Sequence, residues 1–151
     1  MRKKEREIQD RRAMDSIIER AEVCRMALAD GDQPYMVTLN FGYENDALYF
    51  HCALEGRKID IIRRNSKACV SFDADTEMVT KEKACGWTMR YKSVVGFGRA
   101  SLIEGHEAKK EALAVIMRHY SDRAFTFEDA TVRKTMVIKV ELEHLTGKES
   151  K

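Results

Sequence analysis

Apolar residues alternate with a period of two over six stretches of this chain, and nothing else in it constrains the fold as strongly. Successive side chains of a strand point to opposite faces, so alternation marks a sheet buried on one side only. Residues 135–143 are the cleanest case. Met136, Ile138, Val140 and Leu142 point one way, with Val137, Lys139 and Glu141 the other. Residues 47–53 set Leu48, Phe50 and Cys52 against Tyr49 and His51, and Cys24, Met26 and Leu28 alternate with Arg25, Ala27 and Ala29. A strand over 35–41 follows Pro34, the only proline, where a missing N–H does no harm. Residues 68–72 and 93–103 complete the six, and Gly96 and Gly98 mark a bend or a close backbone approach. Asp30-Gly31-Asp32 and Glu44-Asn45-Asp46 read as turns.

The period changes to that of a helix in three places. Met14, Ile17, Ile18 and Ala21 fall at i, i+3, i+4, i+7, with Asp10 or Asp15 as the cap. Gly56-Arg57-Lys58 opens a short helix that carries Ile59 and Ile62 and runs to Asn65. Residues 106–120 place Leu113, Ile116, Met117 and Tyr120 on one face. Residues 76–83 are polar and ambiguous, and 121–133 read as a loop. The expected fold is mainly β with flanking helices (α+β), with about six antiparallel strands in a small barrel and the helices outside. A length of 151 residues is one domain. Residues 1–12 read as a charged N-terminal arm or helix extension, and 13–148 as the single domain.

Composition narrows the function. Lys+Arg 27 against Asp+Glu 25 leaves a net charge of +2, too small to announce a nucleic-acid protein. Arg2, Lys3, Lys4, Arg6, Arg11 and Arg12 cluster, but Glu5, Glu7 and Asp10 dilute them. No apolar run approaches the ~18 residues of a membrane span, and the N-terminus lacks the apolar stretch of a secretory signal. Cys24, Cys52, Cys69 and Cys85 lie far apart in the chain, so no CxxC pair suggests zinc. A cytoplasmic location with reduced thiols is expected.

Two segments could carry chemistry. In His51-Cys-Ala-Leu-Glu-Gly-Arg-Lys58 a strand ends, glycine turns the chain, and two cations sit in the first turn of a helix. Free N–H groups and the helix dipole favour an anion there, and arginine offers phosphate a planar fork. A solvated basic helix start, continued by Arg63, Arg64 and Lys67, would have the same sequence. Trp87-Thr-Met-Arg-Tyr-Lys-Ser93 packs the only tryptophan, a tyrosine and two cations into one short segment, a set able to stack on a planar ring and grip an anion. A hairpin rim with an aromatic plug is the alternative. His51 lies opposite the apolar face of its strand and is either a structural residue or a proton donor. His106, His119 and His144 are given no role.

The ordered set Pro34-Tyr-Met-Val-Thr-Leu-Asn-Phe41, Leu48-Tyr-Phe-His51, Gly56-Arg-Lys58 and Tyr91-Lys-Ser-Val94 with Gly96 and Gly98 resembles the FMN-binding split barrel of pyridoxamine-5′-phosphate-oxidase-like proteins. Arg25-Met-Ala-Leu28, Cys85-Gly-Trp-Thr-Met-Arg-Tyr91 and Leu145-Thr-Gly-Lys148 are similar to the nitroimidazole-resistance-like branch. The resemblance covers roughly residues 21–148. It implies a homodimer with FMN between the protomers. It also implies that Met36, Val37, Thr38 and Leu39 run along the isoalloxazine ring through backbone groups. Arg57 and Lys58 would hold the phosphate, with His51 close by, and Trp87, Arg90, Tyr91 and Ser93 would complete the site across the dimer. A small-molecule oxidoreductase acting on a nitroaromatic or quinone is implied, with His51 as a proton donor. The chain lacks the C-terminal substrate-phosphate segment of true pyridoxamine-phosphate oxidases, so a vitamin-B6 oxidase is not expected. Three alternatives stay open: a non-catalytic flavin-binding or sensing protein, a haem- or deazaflavin-binding relative, and a small barrel that binds nucleic acid.

Overall fold

The computed structural model describes residues 4–150. Its elements are β1 (Glu7–Ile8), α1 (Arg11–Arg20), β2 (Cys24–Asp30), β3 (Gln33–Leu39), β4 (Gly42–Glu44), β5 (Ala47–Ala53), α2 (Arg57–Arg64), β6 (Lys67–Val79), β7 (Thr88–Ile103), α3 (His106–Tyr120), α4 (Asp129–Arg133) and β8 (Thr135–Ser150). All neighbouring strands are antiparallel, in the order β3-β2-β6-β7-β8-β5-β4, with β1 added to β8. There are eight strands rather than six. The two extra ones, β1 and β4, are too short for alternation to register. Of the charged arm, Glu7 and Ile8 pair with Lys148 and Gly147, and α1 begins at Arg11. Met1–Lys3 lie outside the described residues.

Local chemistry explains the turns. Asn45 and Asp46 both take positive φ (51° and 60°) and close the tight β4–β5 hairpin, a conformation these short polar side chains tolerate. Gly31, at φ 67°, closes β2–β3. Asp10 caps α1, its carboxylate accepting from the Arg12 N–H.

The core gathers the alternating residues with one face of α1 and α2. Phe41, Phe50, Phe72, Met26, Leu48, Ile17, Ile18, Ile59 and Ile61 are essentially inaccessible, and Phe41 and Phe72 meet at 5.1 Å between centroids. Each such side chain contributes roughly 1.5–3 kcal/mol of burial. α3 forms a second layer against β4 and β5. Its buried face is Lys109, Ala112, Val115 and Ile116, rotated from the expected one, which leaves Leu113 and Met117 half-buried and Tyr120 exposed. Polar bonds explain the rotation: the Tyr120 hydroxyl donates to the Glu22 carbonyl (2.9 Å) and accepts from the Phe41 N–H (3.0 Å). Within the expected loop, 129–133 is the short helix α4, which carries the buried Val132.

β6, β7 and β8 run longer than their apolar patterns. β8 continues past Glu143 through a bulge: Phe97 pairs with His144 and Gly98 with Leu142, so Glu143 has no partner in the β7 register, though its carboxylate accepts from the Arg99 Nε on β7 (3.1 Å). The bulge resets the alternation and puts Leu142 and Leu145 on the same face, both beside Gly96. Gly98 is required there, because a Cβ would sit 2.1 Å from the Glu141 carbonyl oxygen. A second irregularity, between Ala74 and Glu77, holds Asp75 at φ 55°. Beyond it, residues 76–92 form an arm whose Met78, Trp87 and Met89 are exposed.

Candidate functional site

The β5-to-α2 step is built as the sequence suggests. Gly56 takes φ 133°, where a side chain would be strained, and its open side has nothing within 4 Å. The N–H groups of Ile59 and Asp60 bond to the Gly56 carbonyl, which leaves those of Arg57 and Lys58 free at the helix start. Among the described residues no side chain caps this end. α2 then crosses from β5 to β2, and the Asn65 amide donates to the Ala29 carbonyl (3.3 Å). The helix end therefore sits against β2, and from the helix start the Arg57 side chain reaches the β2–β3 hairpin, which comes much earlier in the chain.

That crossing brings in residues the sequence does not single out. The Arg57 Nε donates to Asp30 Oδ2 (3.2 Å), and the Arg64 Nη2 donates to Asp30 Oδ1 (2.7 Å). The Arg57 guanidinium lies over the Tyr35 ring, 4.9 Å from its centroid. The two arginines, Arg64 first, hold the Asp30 carboxyl below the usual carboxylate range. Arg64, on the exposed face of α2, is thus also an ion-pair partner. By sequence Asp30 reads only as a turn residue, because both of its partners are remote along the chain. Lys58 is half-buried and near the Cys52 thiol, whose pKa burial raises and the Lys58 charge lowers.

Met36, Val37, Thr38 and Leu39 lie on β3, a sheet edge whose outer N–H and C=O groups have no strand partner among the described residues. Val37 and Leu39 pack on the core, while Met36 and Thr38 face away from it. The outward face carries a straight cross-strand row: Met36, Ala27, Cys69, Phe97 and His144. Met36 is 64% exposed and Phe97 50%. His51 is exposed on β5 opposite Val137, and among the described residues it has no hydrogen-bond partner.

The aromatic segment lies within β7 and its arm, not ahead of the strand. The Trp87 indole donates to the Lys81 carbonyl (2.6 Å), and Arg90 pairs with Glu77 (3.4 Å). The Tyr91 hydroxyl accepts from the Lys148 ammonium (2.7 Å), and Ser93 pairs with Lys148 across β7–β8. Concavities of about 510 and 330 Å³ flank Asp75, and Arg90 and Tyr91 border the smaller. Neither includes Arg57, Lys58 or His51. In a single chain, then, the site divides into a phosphate-competent corner at α2 and β3 and an aromatic group on the arm. No hydrogen bond, ion pair or ring contact joins Trp87, Arg90, Tyr91 or Ser93 to Arg57, Lys58 or His51 among the described residues.

Other charged features are accounted for internally. Arg11 is held by Asp15, Asp46 and Tyr43, which takes it out of the basic N-terminal cluster. The described residues contain no cluster of three His, Cys, Asp or Glu able to hold a metal, and no helix long and apolar enough to cross a membrane.

The antiparallel sheet with outer helices is the split barrel of pyridoxamine-phosphate-oxidase-like flavoproteins. The family model described as pyridoxamine 5′-phosphate oxidase matches residues 10–149, and the chain belongs to that family. A candidate 5-nitroimidazole antibiotic resistance protein of Bacteroides thetaiotaomicron is 39% identical, with a TM-score of 0.85 over 95% of this chain and 86% of that one. The flavocytochrome Anf3 of Azotobacter vinelandii (18% identity, TM-score 0.85, 100% and 72% covered) shares the fold. So does an FAD- and haem-binding protein of Mycobacterium smegmatis (19%, TM-score 0.83, 97% and 74% covered). No curated protein matches the chain.

Proposed function

We propose that the protein is an FMN-binding homodimer in the cytoplasm that acts as an oxidoreductase on a small molecule such as a nitroaromatic. The observation that carries this reading is the start of α2, where the N–H groups of Arg57 and Lys58 are free among the described residues and the Arg57 guanidinium reaches the Tyr35 ring on the edge strand β3. The donor set suits a phosphate, and an unpaired strand edge suits the polar rim of a flavin. Gly56 leaves the approach open. When bound, FMN supplies the electron transfer; the protein binds it, orients it and excludes water.

Arg57 and Lys58 hold the phosphate, and residues 36–39 meet the ring through backbone groups. His51, exposed and without a partner among the described residues, is free to give a proton to a reduced substrate. The exposed Met36 and Phe97 on the outward face, with Met78, Trp87 and Met89 on the arm, form apolar surface that a second copy would cover. Such a copy would bring its own Trp87, Arg90, Tyr91 and Ser93 to the flavin, which accounts for their separation from Arg57 in one chain.

The test begins with protein purified without added cofactor. Paired absorption bands near ~370 and ~450 nm, with FMN released on heating, support the reading. A sharp band near ~400 nm indicates haem instead, and a protein that stays colourless with added FMN refutes it. The variant Arg57→Ala/Lys58→Ala then probes the corner. Two charge-assisted contacts at the low end of their range, because Arg57 is half-exposed, amount to about 3 kcal/mol, or roughly 150-fold in FMN affinity. Equal FMN affinity in the double variant rules out this phosphate site.

A further inference from the structure

We propose that Asp30 is a positioning residue that aims Arg57 at the flavin phosphate and so makes the site select phosphorylated flavin over riboflavin. The proposal rests on the phosphate site proposed above. Asp30 ends β2 at the hairpin turn, and its two oxygens are divided between two arginines. Oδ2 takes the Arg57 Nε and Oδ1 takes the Arg64 Nη2. Residues 57 and 64 are two helical turns apart, so one face of α2 presents both to the same carboxylate. The Tyr35 ring packs under the Arg57 guanidinium. Arg57 is therefore fixed at its Nε and along its plane. Its two terminal nitrogens make no hydrogen bond among the described residues. Those two nitrogens are the ones that form a fork to phosphate.

A clamp of this kind removes rotamer freedom before the ligand arrives, which is how preorganisation raises affinity. It also sets a negative charge near a phosphate, and Arg64 offsets it. Arg57, Lys58 and Arg64 against Asp30 leave 3 − 1 = +2, which matches the nearly two negative charges of a phosphate monoester at neutral pH.

The sign of one substitution separates aiming from simple charge. Asp30→Asn raises the local charge, so electrostatics alone predicts tighter FMN. Loss of the clamp predicts weaker FMN, because the amide keeps one acceptor oxygen where the carboxylate offers one to each arginine. Full-length apoprotein is titrated with FMN and with riboflavin, following flavin fluorescence, for the native chain, Asp30→Asn, Arg64→Met and Arg57→Ala. Asp30→Asn is expected to weaken FMN about tenfold and leave riboflavin within about twofold. Arg64→Met, on an exposed helix face, is expected to act the same way, because it lets Asp30 draw the whole Arg57 fork and lowers the local charge to 2 − 1 = +1. Charge loss alone predicts that weakening too, so if Asp30→Asn fails to fold the test is Asp30→Ala, which removes the carboxylate and raises the local charge as Asn does.

FMN binding that is unchanged or tighter in Asp30→Asn overturns the proposal. Equal weakening of FMN and riboflavin also overturns it, because that marks a merely structural ion pair. If Arg57→Ala loses the preference for FMN while both clamp variants keep it, Asp30 has no such role and the phosphate site stands. If Arg57→Ala keeps the preference, the phosphate site and the clamp fall together.

Discussion

Gly42 is the position where one added methyl group tests the packing of the second layer. It lies on β4, buried against α3. A Cβ there would meet the backbone of α3 at 2.6 Å (Ile116 N and Val115 C) and 2.7 Å (Ile116 Cα). Carbon contacts are comfortable at roughly 3.5–4.0 Å, so the shortfall is about 1 Å. Helix backbone cannot rotate out of the way as a side chain can, so α3 itself must move. Moving it opens gaps beside Ala112, Val115 and Ile116, and a gap of about 0.5–1 Å forfeits a quarter to a half of each contact's attraction. Overpacking of this kind costs about 1–3 kcal/mol, and the top of that range applies where backbone opposes backbone. Lower entropy of the unfolded chain returns about 0.4–1 kcal/mol. The net loss for Gly42→Ala is about 2–2.6 kcal/mol, a fall of roughly 4–10 °C in Tm for a chain of this size. Gly96→Ala is the control. Its added Cβ comes nearest to side-chain carbons of Leu145, Val70 and Leu142, at 2.8, 3.0 and 3.1 Å; the leucine tips can turn and the buried Val70 has only a few tenths of an ångström to give, against the rigid backbone that meets Gly42. Thermal unfolding followed by circular dichroism reads both. A Gly42→Ala protein that melts within about 2 °C of the native one, or above the Gly96 variant, refutes the argument.

The thiols should react in order of exposure: brief alkylation at mildly alkaline pH, mapped by mass spectrometry, labels exposed Cys85 first. Cys24 is spared until the protein unfolds, because burial raises its pKa. Cys24 labelled as fast as Cys85 would contradict the burial. In acid, Lys110 and then His106 hold the Asp129 carboxyl down at about 2. A depressed carboxylate contributes its stability above its unfolded pKa of about 3.9 and loses it as pH falls toward about 2. Asp129→Asn should therefore flatten the stability profile between about pH 4 and 2 and leave the shape of the profile near neutrality unchanged; an unaltered acid limb would remove the clamp from the account. His51→Ala should lower turnover of a nitroaromatic about 10²-fold or more while flavin stays bound, and unchanged turnover would end its role as a proton donor.

Much of this protein is decided by local rules that a sequence carries. Alternation identifies β2, β5 and the first half of β8, because a sheet with one wet face must repeat with a period of two. The positive-φ turn at Asn45-Asp46 and the glycine before α2 are likewise read from side-chain sterics. The Gly56-Arg57-Lys58 step is legible as an anion corner for the same reason: a free helix end and two cations are neighbours in the chain.

What the sequence does not contain is which distant residue meets that corner. Asp30 and Tyr35 reach Arg57 only because α2 crosses from β5 to the β2–β3 hairpin, and charge patterning along the chain carries no trace of so remote a pairing. Of the bulge at Glu143 the sequence shows only one side: Gly98 marks a close backbone approach, but nothing along the chain names Glu141 as what approaches it. The buried face of α3 is one of two apolar faces its sequence allows, and the two hydrogen bonds of Tyr120 to Glu22 and Phe41 fix the helix against β4 on that one. One chain by itself does not show whether Trp87–Ser93 joins Arg57 in a single site, since no hydrogen bond, ion pair or ring contact links them among the described residues. Periodicity and sterics act between near neighbours and can be read in order; pairing, register and the division of the site depend on contacts that exist only after the sheet has formed.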